Sequence, residues 1–305
     1  MEPALRIRNL EKTFKTGFIP KKKKILKGIS LEVKEGEVFG YLGPNGAGKT
    51  TTLKCILGLI FPDQGEISIF GKHHLSQEAK QKIGFLPESP YFYDYLTAFE
   101  FMELSSQLFL MDKKEREERI NLLLRKVGLE KAENLQLRKF SRGMLQRLGL
   151  AQALVNNPSL LFLDEPLGGL DPLGRKEIRD IILNLKGEGK TVFLCSHILQ
   201  DIEMVCDRVA IIVSGKILNE GSLQELISEK ILFTELIISG VEEKELQNFG
   251  ECLVVQSGKI FIKVFDENKL GEIIRLVDSR KGKIHSLIPR TETLEDIFVE
   301  MVTRR

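Results

Sequence analysis

No apolar run in the 305-residue sequence approaches the roughly 18 consecutive residues that a membrane-spanning helix requires. The expected chain does not itself cross a bilayer. The opening residues, MEPALRIRNLEKTFK, lack the apolar core of a secretory leader, so the expected location is the cytosol. Neither sign of charge prevails, because 45 Lys and Arg stand against 43 Asp and Glu. Without a global positive field no nucleic-acid partner is expected, and any charged partner has to be met locally. The four cysteines, Cys55, Cys195, Cys206 and Cys252, include no CxxC pair and read as small apolar residues of a reducing compartment. His73 and His74 are adjacent, a poor geometry for one metal ion, and their expected place is a solvated loop. There is no internal repeat and no low-complexity segment, while the length allows two domains.

What is present is a phosphate-cradling pattern. Gly43, Pro44, Asn45, Gly46, Ala47, Gly48, Lys49 and Thr50 spell GxxxxGK[ST], and they follow an apolar run, Val38 to Leu42, that reads as a buried strand. Glycines at 43, 46 and 48 let backbone N–H groups converge on an anion where a β-carbon would obstruct them. Lys49 is expected to meet the β- and γ-phosphates and Thr50 to offer its hydroxyl to Mg²⁺. The helix starting there, with Thr51 in its first turn, points its positive end at the ligand. These residues predict binding of a nucleoside triphosphate.

Strand-like segments at Leu5 to Leu10, Ile29 to Val33, Glu66 to Phe70 and Ile83 to Leu86 open the chain, the first of them suggesting an antiparallel region. Lys15 to Lys24 reads as a loop ending in four lysines, a solvated turn in preference to contact with an anionic membrane surface or a nucleotide. From Thr97 to Asn157 the period becomes helical, predicting a helical insert. Strands and helices then alternate, which argues for a parallel sheet covered by helices. From about Ile231 strand-like segments return, closing on a helix, TLEDIFVEMV, in a tail of about 75 residues that is expected to dock on the main domain or its partner.

Leu160 to Glu165, LLFLDE, is an apolar strand ending in two carboxylates. Beside a phosphate loop, Asp164 can hold the shell of a Mg²⁺ ion and Glu165 can act as general base toward water.

Three further segments resemble those of ABC ATPases. Phe140 to Arg147, FSRGMLQR, is similar to their LSGGQ signature, Gly168 to Pro172, GGLDP, to their D-loop, and Ser196–His197 to their switch histidine. The likeness runs from about Leu5 to Leu226. It implies an α/β P-loop NTPase of ABC type over residues 1–230, with a mixed sheet, an antiparallel β region and a helical insert at about 97–157. A small α+β C-terminal domain follows at 231–305. It also implies a head-to-tail dimer that sandwiches ATP between the phosphate loop of one copy and the signature of the other, where Ser141 and Gly143 form a second anion clamp. Phe14 matches the aromatic on which adenine stacks, and His197 the sensor of the γ-phosphate.

Two spellings depart from that pattern. Glu88 stands where the family usually has Gln, and Arg142 where the signature has its first Gly. A carboxylate at 88 can still ligate Mg²⁺, but it adds negative charge near a triphosphate and donates no N–H. With the TLEDIFVEM ending, these spellings resemble the ATPase subunits of ABC-2 type exporters. Tyr91, Tyr93 and Tyr95, with Phe92 among them, either line a groove for a cytoplasmic helix of a membrane subunit or pack within the helical insert. The function so implied is ATP hydrolysis driving transport, by export, through separate permease subunits that hold the protein at the cytoplasmic face of the membrane. The alternative is a soluble ABC-type ATPase acting on ribosomes or DNA; such relatives usually carry two cassettes or long heptad insertions, and this chain has neither.

Overall fold

In the computed structural model, residues 2–16, 21–226, 231–291 and 295–296 are described. The chain divides into two compact units, Met1–Leu223 and Gln224–Arg305.

The first unit begins with β1 (Leu5–Thr16) and β2 (Lys21–Val33), a long antiparallel pair, followed by β3 (Val38–Leu42) and α1 (Lys49–Ile56). Next come β4 (Gln64–Ile69), β5 (Lys72–His73), α2 (Gln77–Gln81) and β6 (Ile83–Leu86). Three helices occupy the following stretch, α3 (Ala98–Gln107), α4 (Lys113–Lys126) and α5 (Arg142–Ala153). The unit finishes with β7 (Leu160–Asp164), α6 (Pro172–Gly187), β8 (Thr191–Ser196), α7 (Leu199–Val205), β9 (Arg208–Val213) and β10 (Lys216–Ser222).

Two sheets result. One is antiparallel, in the order β2-β1-β4-β5; the other runs β10-β9-β3-β8-β7-β6 and is parallel except for β10 on its edge. The central strands VFGYL, LLFLD and TVFLCS are buried at every residue, as near-continuous apolar runs must be when both faces of a parallel sheet are covered. On one face of this sheet Phe193 of β8 packs between its neighbours, with its ring 5.7 Å from Phe39 and 5.4 Å from Tyr41 of β3 and 5.7 Å from Phe162 of β7. Because β3, β7 and β8 are parallel, their carboxyl ends share one edge of the sheet. The phosphate loop, Glu165 and His197 each follow one of these ends, which is where open α/β sheets bind ligands.

Helix starts are set locally. Thr97 and Glu100 close a capping box on α3, Asp112 caps α4, and Asp171 caps α6 with Pro172 in its first turn.

From α8 (Leu223–Leu226), which starts at the last residue of the first unit, the chain enters the second, with β11 (Ile231–Ser239), α9 (Glu243–Leu246), β12 (Glu251–Gln256), β13 (Lys259–Val264), α10 (Glu267–Ser279) and β14 (Lys283–Thr291). The strands form an antiparallel sheet in the order β12-β13-β11-β14. Its core is small, with Leu236, Ile238, Leu246, Ile260, Ile262, Val264, Ile273 and Val277 buried.

The structure corrects two expectations. Lys21 to Lys24 lie in β2, paired with Thr16 to Thr13 of β1, because the backbone ladder outweighs the weak strand propensity of lysine. Residues 17–20 lie outside the described ones. His73 is exposed at the end of β5, whereas His74 is buried rather than solvated, its Nδ1 donating to the Ile67 carbonyl at 3.2 Å. Burial lowers its pKa. Cys55, Cys195 and Cys206 are free and buried, in keeping with their reading as small apolar residues. Of the expected closing helix, only residues 295 and 296 are described.

Candidate nucleotide site

The loop after β3 curls through glycines that nothing larger could replace in the same conformation. Gly48 has φ +116°, and a β-carbon on Gly43 would come within 2.3 Å of the Ile212 carbonyl oxygen. The Gly43 N–H donates to the Ser196 carbonyl at 3.3 Å, and the Gly215 N–H to that of Ala47 at 2.9 Å, which ties the loop to its neighbours. Gly48 is the N-cap of α1, so Lys49, Thr50 and Thr51 form the helix's first turn with free N–H groups pointing out of the loop.

Lys49 is buried. Its Nζ donates to the Gly43 carbonyl at 2.7 Å and lies 3.2 Å from Oε1 of Glu165, itself buried. Glu165 sits one residue past β7 at φ +49°, a left-handed conformation that a non-glycine residue adopts only when its surroundings impose it. Here they do: the Glu165 N–H donates to the Cys195 carbonyl at 2.9 Å, and Oε2 accepts from Nδ1 of His197 at 2.8 Å. The turn therefore aims one carboxylate at both the loop lysine and the histidine.

Asp164, the last residue of β7, is buried and accepts from the Thr50 hydroxyl. Burial, opposed by that bond, pushes its carboxyl up to about 6, and the neighbouring Glu165 and Glu88 add to the rise. Its Oδ1 has no hydrogen-bond partner among the described residues. An orphaned buried carboxylate oxygen beside a hydroxyl is a hard-oxygen donor set. Among the described residues no group of three or more His, Cys, Asp or Glu could hold an ion unaided. That suits Mg²⁺, which is held by one or two protein oxygens together with substrate phosphates.

A cavity of about 240 Å³ joins these parts, lined by Pro44, Asn45, Gly46, Gly48, Lys49, Thr50, Thr51, Glu88 and Glu165. It also takes in Ile25, which the sequence reading missed, and Lys23, from the lysine run for which contact with a nucleotide was the lesser alternative. Phe14 is not among its lining residues; it lies on β1, half-exposed, with the Lys12 ammonium 5.5 Å from its ring centre. Ser141 and Gly143 are elsewhere, in a second cavity of about 360 Å³ with Arg142, Gly169 and Asp171. Ser141 caps α5, its Oγ accepting from the Met144 N–H at 3.2 Å.

On the surface beyond β6, Tyr91, Tyr93 and Tyr95 are exposed, while Phe92 packs edge-on against Phe101 at 5.0 Å. The cluster thus divides its roles, with the phenylalanine half-buried against α3 and the tyrosines exposed. Tyr91, Pro87, Pro90, Leu108 and Phe109 line a further cavity of about 370 Å³.

Known proteins place this geometry. Residues 26–168 match the family described as ABC transporter. An ABC transporter ATP-binding protein of Nostoc sp. is 50% identical over 300 residues, covering 97% of this chain and 89% of the relative. The bacitracin transport ATP-binding protein BcrA of Bacillus licheniformis is 36% identical over 290 residues, covering 90% and 91%. Among solved structures, a dimeric ATP-binding cassette in a post-hydrolysis state with ADP and Pi superposes with a TM-score of 0.65 at 30% identity, covering 72% of this chain and 99% of that one. With a phosphate loop, an acidic strand end and a histidine meeting at one sheet edge, the chain belongs to the ABC transporter ATP-binding proteins and is an ATPase subunit of that family.

Proposed function

We propose that two copies of this chain close head to tail on ATP and that closure drives export through separate membrane-spanning subunits. The observation that carries this reading is the division of the site. Lys49, Glu165 and His197 meet at the phosphate loop, whereas Ser141 and Gly143 lie in a different cavity of the same chain. The signature helix α5 offers free N–H groups at its start, an anion-binding end that calls for phosphates supplied by a second copy.

In this reading Lys49 and the loop N–H groups hold the β- and γ-phosphates, and adenine stacks on Phe14. Thr50 and Asp164, with Glu88 nearby, would hold Mg²⁺, which when bound neutralises charge on the phosphate oxygens. Glu165 accepts the proton of the attacking water. His197, through its bond to Glu165, fixes that carboxylate and senses the γ-phosphate. Positioning and charge neutralisation supply most of the rate, and the base adds roughly 10² to 10⁴.

Among the described residues no helix is long and apolar enough to cross a membrane, so transport needs other subunits. The exposed tyrosines and the adjoining apolar cavity suit a cytoplasmic helix of such a permease, which would hold the protein at the inner face of the membrane. Export is the direction implied by the resemblance to ABC-2 type exporters, and a bacitracin transport ATP-binding protein is among the relatives.

Glu165→Gln tests the proposal. ATP affinity is expected to persist, turnover to fall at least about 100-fold, and an ATP-bound dimer to accumulate in light scattering. A variant that turns over normally, or stays monomeric with MgATP beside its permease, overturns it.

A further inference from the structure

We infer that Lys23 is a second cation of the nucleotide site, placed on β2 to meet the phosphate chain and to offset the charge of Glu88. The inference rests on the nucleotide reading above and extends it to a residue outside the phosphate loop.

Strand geometry selects this lysine from a run of four. Successive residues of a strand face opposite ways, so Lys23 stands on one side and Lys22 and Lys24 on the other, before the register shift between Lys24 and Leu26. Lys23 and Ile25 both line the cavity of the phosphate loop, and the Ile25 side chain lies 3.7 Å from where a β-carbon of Gly48 would stand. On the other side, Lys24 is paired with Glu11 at 2.7 Å. Lys23 has no carboxylate partner among the described residues. Across the β1–β2 ladder it stands opposite Phe14, the expected adenine platform, which sets it toward the base end of the phosphate chain.

Charge supplies the second part of the argument. The titratable side chains lining the cavity are Lys23, Lys49, Glu88 and Glu165, two of each sign. Lys49 is already engaged by Glu165. Glu88 stands where the family's usual residue is neutral, so without Lys23 the walls would carry a net negative charge toward a triphosphate. A lysine on a flexible stem at the mouth reaches phosphate oxygens as a point charge without needing the rigid fork of arginine.

The experiment compares Lys23→Gln with Lys22→Gln, which removes the same charge from the opposite side of the strand. ATP dissociation constants are measured on the full chain by displacement of a fluorescent ATP analogue, in EDTA so that Glu88 acts only through its charge. The expected result is an affinity loss of about tenfold for Lys23→Gln, little change for Lys22→Gln, and partial recovery in the Lys23→Gln/Glu88→Gln pair. Equal effects of the two lysines, or no loss at position 23, overturn the inference, and a double variant with no recovery overturns the offset of Glu88. Lys49→Ala, run alongside, separates the two levels: if it also binds ATP normally, the nucleotide reading itself has failed.

Discussion

The guanidinium of Arg142 lies over the α-carbon of Gly169. A β-carbon built on Gly169 would come within 2.3 Å of Nη1 and 2.4 Å of Cζ, and the glycine has φ +67°. The residue that replaces the signature's usual glycine therefore touches the D-loop of its own chain, and a side chain at 169 would have to displace it.

Two costs are expected for Gly169→Ala. One is the left-handed backbone, about 1 kcal/mol, and the other is loss of the Arg142 contact. Arg142→Gly should remove the second and leave the first, so the double variant is less destabilised than the sum of the singles. Urea unfolding of the four proteins measures this coupling, and strict additivity would show that the contact has no energetic weight.

Gly43→Ala is expected to be worse than Gly46→Ala for nucleotide binding. At Gly43 the added carbon meets the backbone of β9 and the Ile212 side chain at 2.8 Å, so the loop must shift, and with it the carbonyl that anchors Lys49. At Gly46 nothing lies within 4 Å, and only the backbone cost at φ +79° remains. ATP affinity is expected to fall about fivefold or more for the first variant, since a shift of this kind typically costs about 1–3 kcal/mol. Equal affinities for the two variants would contradict the clash.

His74 makes stability depend on pH. Burial first, then the nearby positive charges of His73 and Lys80, hold its ring below its ordinary pKa, while the bond to the Ile67 carbonyl opposes them. Its Nε2, buried with no partner among the described residues, is the atom that would have to take up the proton. The folded state keeps the ring neutral, whereas the unfolded chain protonates below about pH 6.5. The stabilisation is therefore full above that value and is lost progressively as pH falls through it toward the depressed folded pKa. His74→Gln is expected to flatten the melting temperature between pH 7 and pH 5 relative to the parent; parallel curves would exclude His74 as the cause.

The phosphate loop, the acidic strand end and the histidine were legible because their chemistry tolerates few other spellings. The buried strands were legible too: LLFLD and TVFLCS are apolar at almost every position, and a parallel sheet needs that. Lys23 was legible only in part. A lysine run reads as solvated loop before nucleotide contact, and only the pairing of β2 with β1 turns it into a strand that separates Lys23 from its neighbours. His74 was hidden too, since adjacent histidines look equivalent until the turn after β5 leaves one exposed and buries the other. The contact of Arg142 with Gly169 joins segments more than twenty residues apart through a backbone turn, and no local pattern announces it.

Lys49 and Glu165 hold one another in a place sheltered from water. A triphosphate that engages the ammonium has to compete with the carboxylate for it, so nucleotide capture is a substitution and not a simple addition. The displaced carboxylate is at that moment free to turn to a water molecule. If Glu165 is the base of the proposed function, arrival of the substrate and unmasking of the base become a single event, and the carboxylate stays occupied between turnovers.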